Sequence, residues 1–271
     1  MVTGASRGIG LATACILASM RVPVVLVARS GKALDRTSVR LREGGARVEL
    51  VEGDVADETV ARRAVEAACA HAPLAALVNN AAVLDPIASL RTLDAGELRR
   101  HLDVNVVGVA NGMRAALCAS AHARTLRIVN VSSGAAVRAT AGLAAYSASK
   151  AAVNALTAIA AVEEPGVVVT AMAPGTVETA MQRHLRGLSS QQFPAVADFL
   201  GLKEQGRLAH AIDASVAIVW LALAAPSALS GRFLGTQDVA EPLAAWRRSE
   251  PGELGPSMMR ARAWFEEMEG A

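Results

Sequence analysis

Residues 3–10 read TGASRGIG, between a short apolar start at Met1 and Val2 and a helix-forming apolar stretch at 9–20. Glycines at 4, 8 and 10 let a strand turn sharply into a helix. They also bring backbone amides, at the positive end of that helix, against an anion such as a pyrophosphate. In a chain with 22 glycines the spacing alone means little, and its weight comes from its place at the first strand-to-helix junction. Outward from it, aliphatic runs at 22–28, 47–51, 74–78, 127–131 and 167–172 read as strands. Helical stretches at 9–20, 57–70, 97–120 and 147–162 alternate with them. The alternation predicts an α/β fold: one doubly wound, Rossmann-type parallel sheet in a three-layer domain, with a dinucleotide at the strand ends. Only Met1, Val2 and Thr3 remain for the first, central strand, which is therefore expected to be truncated; either the natural start lies upstream or the sheet is fragile.

The 271 residues are 52% apolar, 19% charged and 3% aromatic, which fits a globular domain with an aliphatic core and excludes a disordered or collagen-like chain. Lys+Arg 27 against Asp+Glu 25, with no block of like charge, argues against a nucleic-acid partner. Cys15, Cys69 and Cys118 are odd in number and sit in helical stretches, so they read as buried thiols and not as a disulfide framework. The longest apolar run, 214–225, is about half a bilayer span, and no charged leader precedes an apolar segment at the start. A cytoplasmic protein with no membrane partner is expected. His71, His101, His122, His184 and His210 show no metal-ligand spacing and read as surface residues, with His184 in the segment that would cover a substrate. The domain is expected to span 1–238. The tail, 239–271, carries Pro242, Pro251 and Pro256 and then one short amphipathic helix, capped by Ser257, whose Met258, Ala261, Phe265 and Met268 stripe lies on the body or a sister subunit.

The chain's single tyrosine, Tyr146, has Lys150 four residues later in YSASK, on one face of a helix. A phenol with a reference pKa near ten is a poor acid or base at neutral pH, and a nearby ammonium would lower that value. Ser133 lies 13 residues before Tyr146, at the end of IVNVSS, and Asn105 lies 28 before Ser133, within DVNVVG. Taken singly, Tyr146 and Lys150 could be a surface pair, and Ser133 and Asn105 could cap turns. Together with the Gly-x3-Gly-x-Gly spacing, these residues resemble the short-chain dehydrogenase/reductase family, over a stretch from Val2 to about Asp238.

The resemblance implies a catalytic set of Asn105, Ser133, Tyr146 and Lys150. Tyr146 would protonate a carbonyl oxygen as hydride arrives from the nicotinamide, Ser133 would hydrogen-bond the same oxygen, and Lys150 would also hold the nicotinamide ribose. Asn105 would kink its helix and hold a relay water. It implies a cofactor lining of Gly4, Ser6, Arg7, Gly8, Ile9 and Gly10 in the turn. Asp54 and Val55 in GDVAD would meet the adenine, and Asn79 and Ala81 in NNAA the adenosine ribose, with Ala82 crowding that loop where the family usually has glycine. Pro174, Gly175, Val177 and Thr179 in APGTVET would meet the carboxamide.

Cofactor choice is read from the end of the second strand, where NAD-binding members place an acid for the adenosine 2′-hydroxyl. Here that position is Ala28, followed by Arg29, with Arg7 in the turn, so NADP(H) is expected. EEPGVVV, TAMQ and FLGLKEQGRL look like the sepiapterin reductase and benzil reductase branch, but Gly235 stands where a pterin-anchoring acid would be, against a pterin substrate. The lid, 178–206, carries Met181, Leu185, Phe193, Phe199 and Leu202 beside Arg183 and His184, an apolar pocket for a ketone or vicinal diketone unless those residues only pack the lid. The expectation is an NADP-dependent carbonyl reductase, a homodimer through the 147–162 helix. Its rivals are a catalytically silent NADP(H)-binding sensor or subunit and a purely structural α/β interaction protein.

Overall fold

The computed structural model describes residues 1–70, 72–119, 126–249 and 254–269. The readings made for His71, Ser120, His122 and Pro251 lie outside the described residues. Seven parallel strands run β1 (Val2–Thr3), β2 (Val24–Ala28), β3 (Val48–Glu52), β4 (Ala76–Asn79), β5 (Arg127–Val131), β6 (Val168–Ala173) and β7 (Phe233–Gly235). Their order in the sheet is β3-β2-β1-β4-β5-β6-β7. The order reverses between β1 and β4, and that switch point opens a crevice at the carboxyl ends of the strands. The aliphatic runs are strands because both faces are covered: Leu26, Val78 and Val129 face one apolar layer, Val25, Val27, Leu77 and Ile128 the other. The first strand is two residues long, with the Met1 ammonium donating to the Ala76 carbonyl at 3.0 Å.

One layer holds α1 (Gly8–Ser19), α2 (Gly31–Glu43), α9 (Ala211–Ala224) and α11 (Leu254–Glu269). The other holds α3 (Glu58–Cys69), α5 (Gly108–Ala119) and α6 (Ala144–Glu163). The apolar run at 214–225 is spent in α9, which is buried along most of its length. Among the described residues no helix is long and apolar enough to cross a membrane. The helix expected over 97–120 is instead α4 (Ala95–Leu102), a π-helical stretch (Asp103–Val107) and α5. α5 begins at Gly108, where an added Cβ would lie 2.6 Å from the Val55 side chain.

Two expectations are corrected here. Only Cys15 is buried; Cys69 is partly exposed and Cys118 exposed. The tail holds two helices among the described residues, α10 (Ala240–Ser249) and α11, and Ser257 sits inside α11 instead of capping it. Its hydroxyl and the Arg260 guanidinium both donate to the Ser19 carbonyl at the end of α1 (3.2 and 3.0 Å). Ala261, Trp264 and Phe265 are buried in the main core, and Trp264 lies so close to Gly44 that a Cβ there would clash. The tail is therefore packed into the body.

Candidate active site

At the switch point the chain leaves β1 through Gly4 (φ +64°) and enters α1 at Gly8 (φ +55°), left-handed conformations that suit glycine. Gly10 is fixed by packing, since a Cβ there would lie 2.3 Å from the Gly4 carbonyl oxygen. Asn80 locks the turn: its Nδ2 donates to Thr3 O (3.0 Å) and Gly4 O (3.3 Å), while Thr3 Oγ1 accepts from the Asn80 and Ala81 amides. Sequence reasoning passed over Asn80 because its bonds are to backbone far away in the chain. The Gly8 amide donates to a carboxylate, Glu269 Oε1 at 2.5 Å, and Arg183 lies 3.7 Å from Glu269 Oε2. An anion at the positive end of α1 is what this turn is built to hold, and Glu269 stands in for it. The turn fits a pyrophosphate, and the same observation means the end of α11 competes for the position.

Ala28 is the last residue of β2, as expected, and Arg29 and Arg7 are both exposed beside the crevice. The nearest carboxylate along the sheet edge, Glu52, is engaged with the Gly31 amide at 2.9 Å. A cavity of about 540 Å³ opens there, lined by Arg29, Asp54, Val83, Asp85, Arg100 and His101 among others. Asp54 accepts from the Ala56 amide, and Asn111 holds the Val55 and Ala56 carbonyls at 3.1 Å each. Asn79 is 3% exposed, and its side-chain amide donates to Asn130 in a buried network. Ala82 needs no left-handed backbone. Ser6 lies in the turn and Ile9 in the first turn of α1, both partly exposed. Beyond β6, Pro174 is buried and Gly175 turns the chain (φ +81°). Val177 bridges to Ala209, and Thr179 caps α7 (Ala180–Arg186) with its methyl 3.5 Å from where a Gly8 Cβ would be. The turn and the APGTVET segment thus meet across the crevice.

The four tetrad positions converge from β5, α6 and the π-helical stretch. Ser133, just past β5, caps a short 3-10 turn through the Ala135 amide (3.1 Å), and its hydroxyl hydrogen-bonds the Tyr146 phenol. Lys150 Nζ lies 5.7 Å from the centre of the Tyr146 ring and donates to the Val131 carbonyl at 2.8 Å. Burial lowers the lysine to about 8. The sequence led us to expect a lowered phenol, and the structure corrects this: loss of solvent raises Tyr146, opposed by the Ser133 hydrogen bond. Tyr146 is therefore held protonated at neutral pH. Asn105 is fully buried; its Oδ1 accepts from the Val83 amide (2.8 Å) and its Nδ2 donates to the Val83 carbonyl (2.9 Å).

His101, expected on the surface, is 1% exposed and sits between Asn105 and Tyr146. His184 is exposed, 3.1 Å from Asp85, and His210 caps α9. Above Tyr146, Leu185 and Phe193 are buried in an apolar cluster with Leu84 and Leu143, against which Met181, Ile87 and Phe199 pack half-buried. Leu185 and Phe193 thus pack the lid, with Met181 and, on α8 (Val196–Glu204), Phe199 half-buried against the same cluster as Tyr146. Among the described residues no group of three His, Cys, Asp or Glu could hold a metal.

A parallel sheet with a glycine turn at its switch point and a Ser–Tyr–Lys set at the neighbouring strand end defines a Rossmann-type oxidoreductase. Residues 1–188 match the short chain dehydrogenase family, and the chain belongs to the short-chain dehydrogenase/reductases. It is 36% identical to the cis-4-hydroxycyclohexanecarboxylate dehydrogenase of Sinomonas cyclohexanicum, over 86% of this chain and 92% of that one. Among solved structures it resembles a short-chain dehydrogenase/reductase of Saccharomyces cerevisiae, with TM-score 0.81 and 32% identity over 90% and 97% of the two chains. It also resembles an actinorhodin polyketide ketoreductase solved with NADPH, with TM-score 0.78 and 27% identity over 88% and 95%.

Proposed function

We propose that the chain is an NADPH-dependent carbonyl reductase acting on small apolar ketones or diketones, with Tyr146 as the proton donor. The observation that carries this is a phenol kept protonated by burial, hydrogen-bonded to Ser133, with Lys150 below its ring and apolar side chains above it. A protonated phenol donates to a carbonyl oxygen, which favours reduction over alcohol oxidation at neutral pH. NADPH, when bound, supplies the hydride. Ser133 orients the oxygen and shares its developing charge. Lys150 stabilises the phenolate left behind, and its lowered value lets it return a proton to Tyr146 between turnovers. Asn105, its side-chain amide committed to Val83, leaves its main chain in the π-helical stretch to hold a relay water.

The glycine turn with Thr3 and Asn80 would hold the pyrophosphate, Asp54 and Val55 the adenine, and Val177 and Thr179 the carboxamide. Arg7 and Arg29 would clamp a 2′-phosphate, with Ala28 where an acid would repel it and Glu52, its neighbour on β3, engaged by the Gly31 amide. The ketoreductase solved with NADPH supports the cofactor; the branch within the family rests on the short stretches quoted above, and Gly235 at the end of β7 still argues against a pterin.

The test is steady-state reduction of ketones, diketones, quinones and aldehydes with NADPH and NADH, in wild type, Tyr146→Phe and Ala28→Asp/Arg29→Ser. NADPH should exceed NADH by about a hundredfold in kcat/KM, the double variant should reverse that order, and Tyr146→Phe should lose turnover while binding NADPH unchanged. More than a tenth of wild-type turnover in Tyr146→Phe, or equal use of both cofactors by wild type, refutes the assignment.

A further inference from the structure

His101 projects from the last turn of α4, four residues before Asn105, and reaches three other elements. Its Nδ1 lies 2.8 Å from the Asp85 carbonyl oxygen, in the segment after β4. Its Nε2 lies 2.9 Å from Asn105 Nδ2 and 3.2 Å from Ser149 Oγ on α6. Its ring meets the Tyr146 ring edge-on, centroids 6.3 Å apart. These partners fix its state. A carbonyl only accepts, so Nδ1 carries the proton, and Nε2 accepts from the Asn105 amide, whose other N–H goes to Val83 O. The Ser149 hydroxyl donates to the Tyr146 carbonyl at 2.8 Å. With its proton so placed, Ser149 Oγ is left an acceptor, which the Asn105 amide also reaches at 3.2 Å, and the neutral imidazole is the form that matches the two shorter contacts of the ring, to Asp85 and Asn105.

We propose that His101 is a positioning residue, holding the Asn105 amide, the Asp85 segment and the tyrosine-bearing helix in the one register that lets Ser133, Tyr146 and Lys150 act together. This rests on the reductase reading given above. Protonation would place an Nε2–H against the Asn105 N–H and break that bond, adding a cation near Lys150. Burial foremost, and the Lys150 charge in addition, hold the imidazole below its ordinary value, against the pull of the Asp85 carbonyl and carboxylate. The charged and titratable groups around it are Asp85, Lys150 and Tyr146 from the packed elements, and Glu97, Arg100 and Asp103 near it around the cavity. His184, with Nε2 3.1 Å from Asp85 Oδ1, is the histidine across the same segment and serves as the control.

The experiment measures kcat against pH and NADPH Kd in wild type, His101→Leu, His101→Gln and His184→Gln. Leucine fills the space without an acceptor; glutamine restores an acceptor and a donor but does not titrate. Expected are a kcat loss of about 10–100-fold in His101→Leu with NADPH Kd within about twofold, and recovery to within about fivefold in His101→Gln. Wild type and His184→Gln should share an acid limb below the ordinary histidine range, and His101→Gln should lack it. A leucine variant with wild-type turnover, or a glutamine variant that keeps the acid limb, overturns the proposal; should the leucine variant not fold, the glutamine variant decides. If wild type binds NADPH but reduces no carbonyl, the reductase reading falls. Nitrogen-15 NMR then decides the inference without turnover: an unprotonated Nε2 at neutral pH, with the Asn105 side-chain amide shifting as His101 titrates, supports it, and a protonated Nε2 overturns it.

Discussion

Lys150→Met should inactivate the protein and, near neutral pH, stabilise it. The lysine is 3% exposed, and its ammonium has the Val131 carbonyl at 2.8 Å and, among the described residues, no carboxylate bonded to it. Burial takes it from 10.5 to about 8, and at 1.36 kcal/mol per pKa unit the charged form costs the fold about 3 kcal/mol. Below pH 8 both folded and unfolded chains keep the proton, and the whole cost is present. Between pH 8 and 10.5 the folded chain gives up its proton first, the unfolded chain binds more protons, and stability rises with pH. Methionine removes the charge but leaves the Val131 carbonyl without that donor, a loss of roughly 1–2 kcal/mol. The variant should therefore be more stable than wild type by about 1–2 kcal/mol at pH 7. Its advantage should shrink by about 3 kcal/mol and change sign by pH 10.5. Urea unfolding followed by circular dichroism, for both proteins at each pH, measures the difference, in which other titrating groups largely cancel. A difference that stays constant from pH 7 to 10.5 would show that Lys150 is not carrying a buried charge.

Glu269→Gln should tighten NADPH binding about tenfold by fluorescence titration, because the carboxylate on the Gly8 amide loses a charge-assisted bond of about 1.5 kcal/mol or more that a pyrophosphate must displace. An unchanged Kd would mean that α11 already yields without cost. Ile159 and Val162 stand 52% and 82% exposed on α6, a face rich in small residues, so wild type should be a homodimer by light scattering at micromolar concentration and Val162→Glu a monomer. A monomeric wild type removes that reading.

The inner strands were legible because they are buried on both faces and so read as mainly aliphatic runs; 127–131 matches β5 to the residue. The turn and the Tyr146–Lys150 pair were legible because their spacing is local. What stayed hidden depends on distant partners. His101 lies in RRHL, beside two arginines, and reads as solvated; it is buried because Asp85, Ser149 and Asn105 converge on it. The stripe from Met258 to Met268 made α11 legible, though it begins ahead of Ser257, whereas α10 was missed; Pro242 and Pro256 lie inside these two helices. Each is the third residue of its helix, where the missing N–H would have had no intrahelical partner. Glu269 gave no signal, since its partner amide lies 261 residues away.

The phenol's raised value follows from the same burial that strains the lysine. Sequence spacing puts an ammonium one helical turn from Tyr146 and implies a lowered phenol, but that inference assumes a solvated pair. Here the crevice removes water from both groups, and desolvation acts against charge on each: it raises the acid and lowers the base. The two values cross and separate, from 10.0 upward for the phenol, whose charged form is an anion, and from 10.5 down to about 8 for the ammonium. A proton lost from Tyr146 in a turnover would thus leave a phenolate beside a lysine that gives up its own proton readily. Ser133, hydrogen-bonded to the phenol, is the group that works against the desolvation. Ser133→Ala should accordingly raise Tyr146 further and slow reduction without weakening cofactor binding, since the serine touches the reacting oxygen's donor and not the glycine turn.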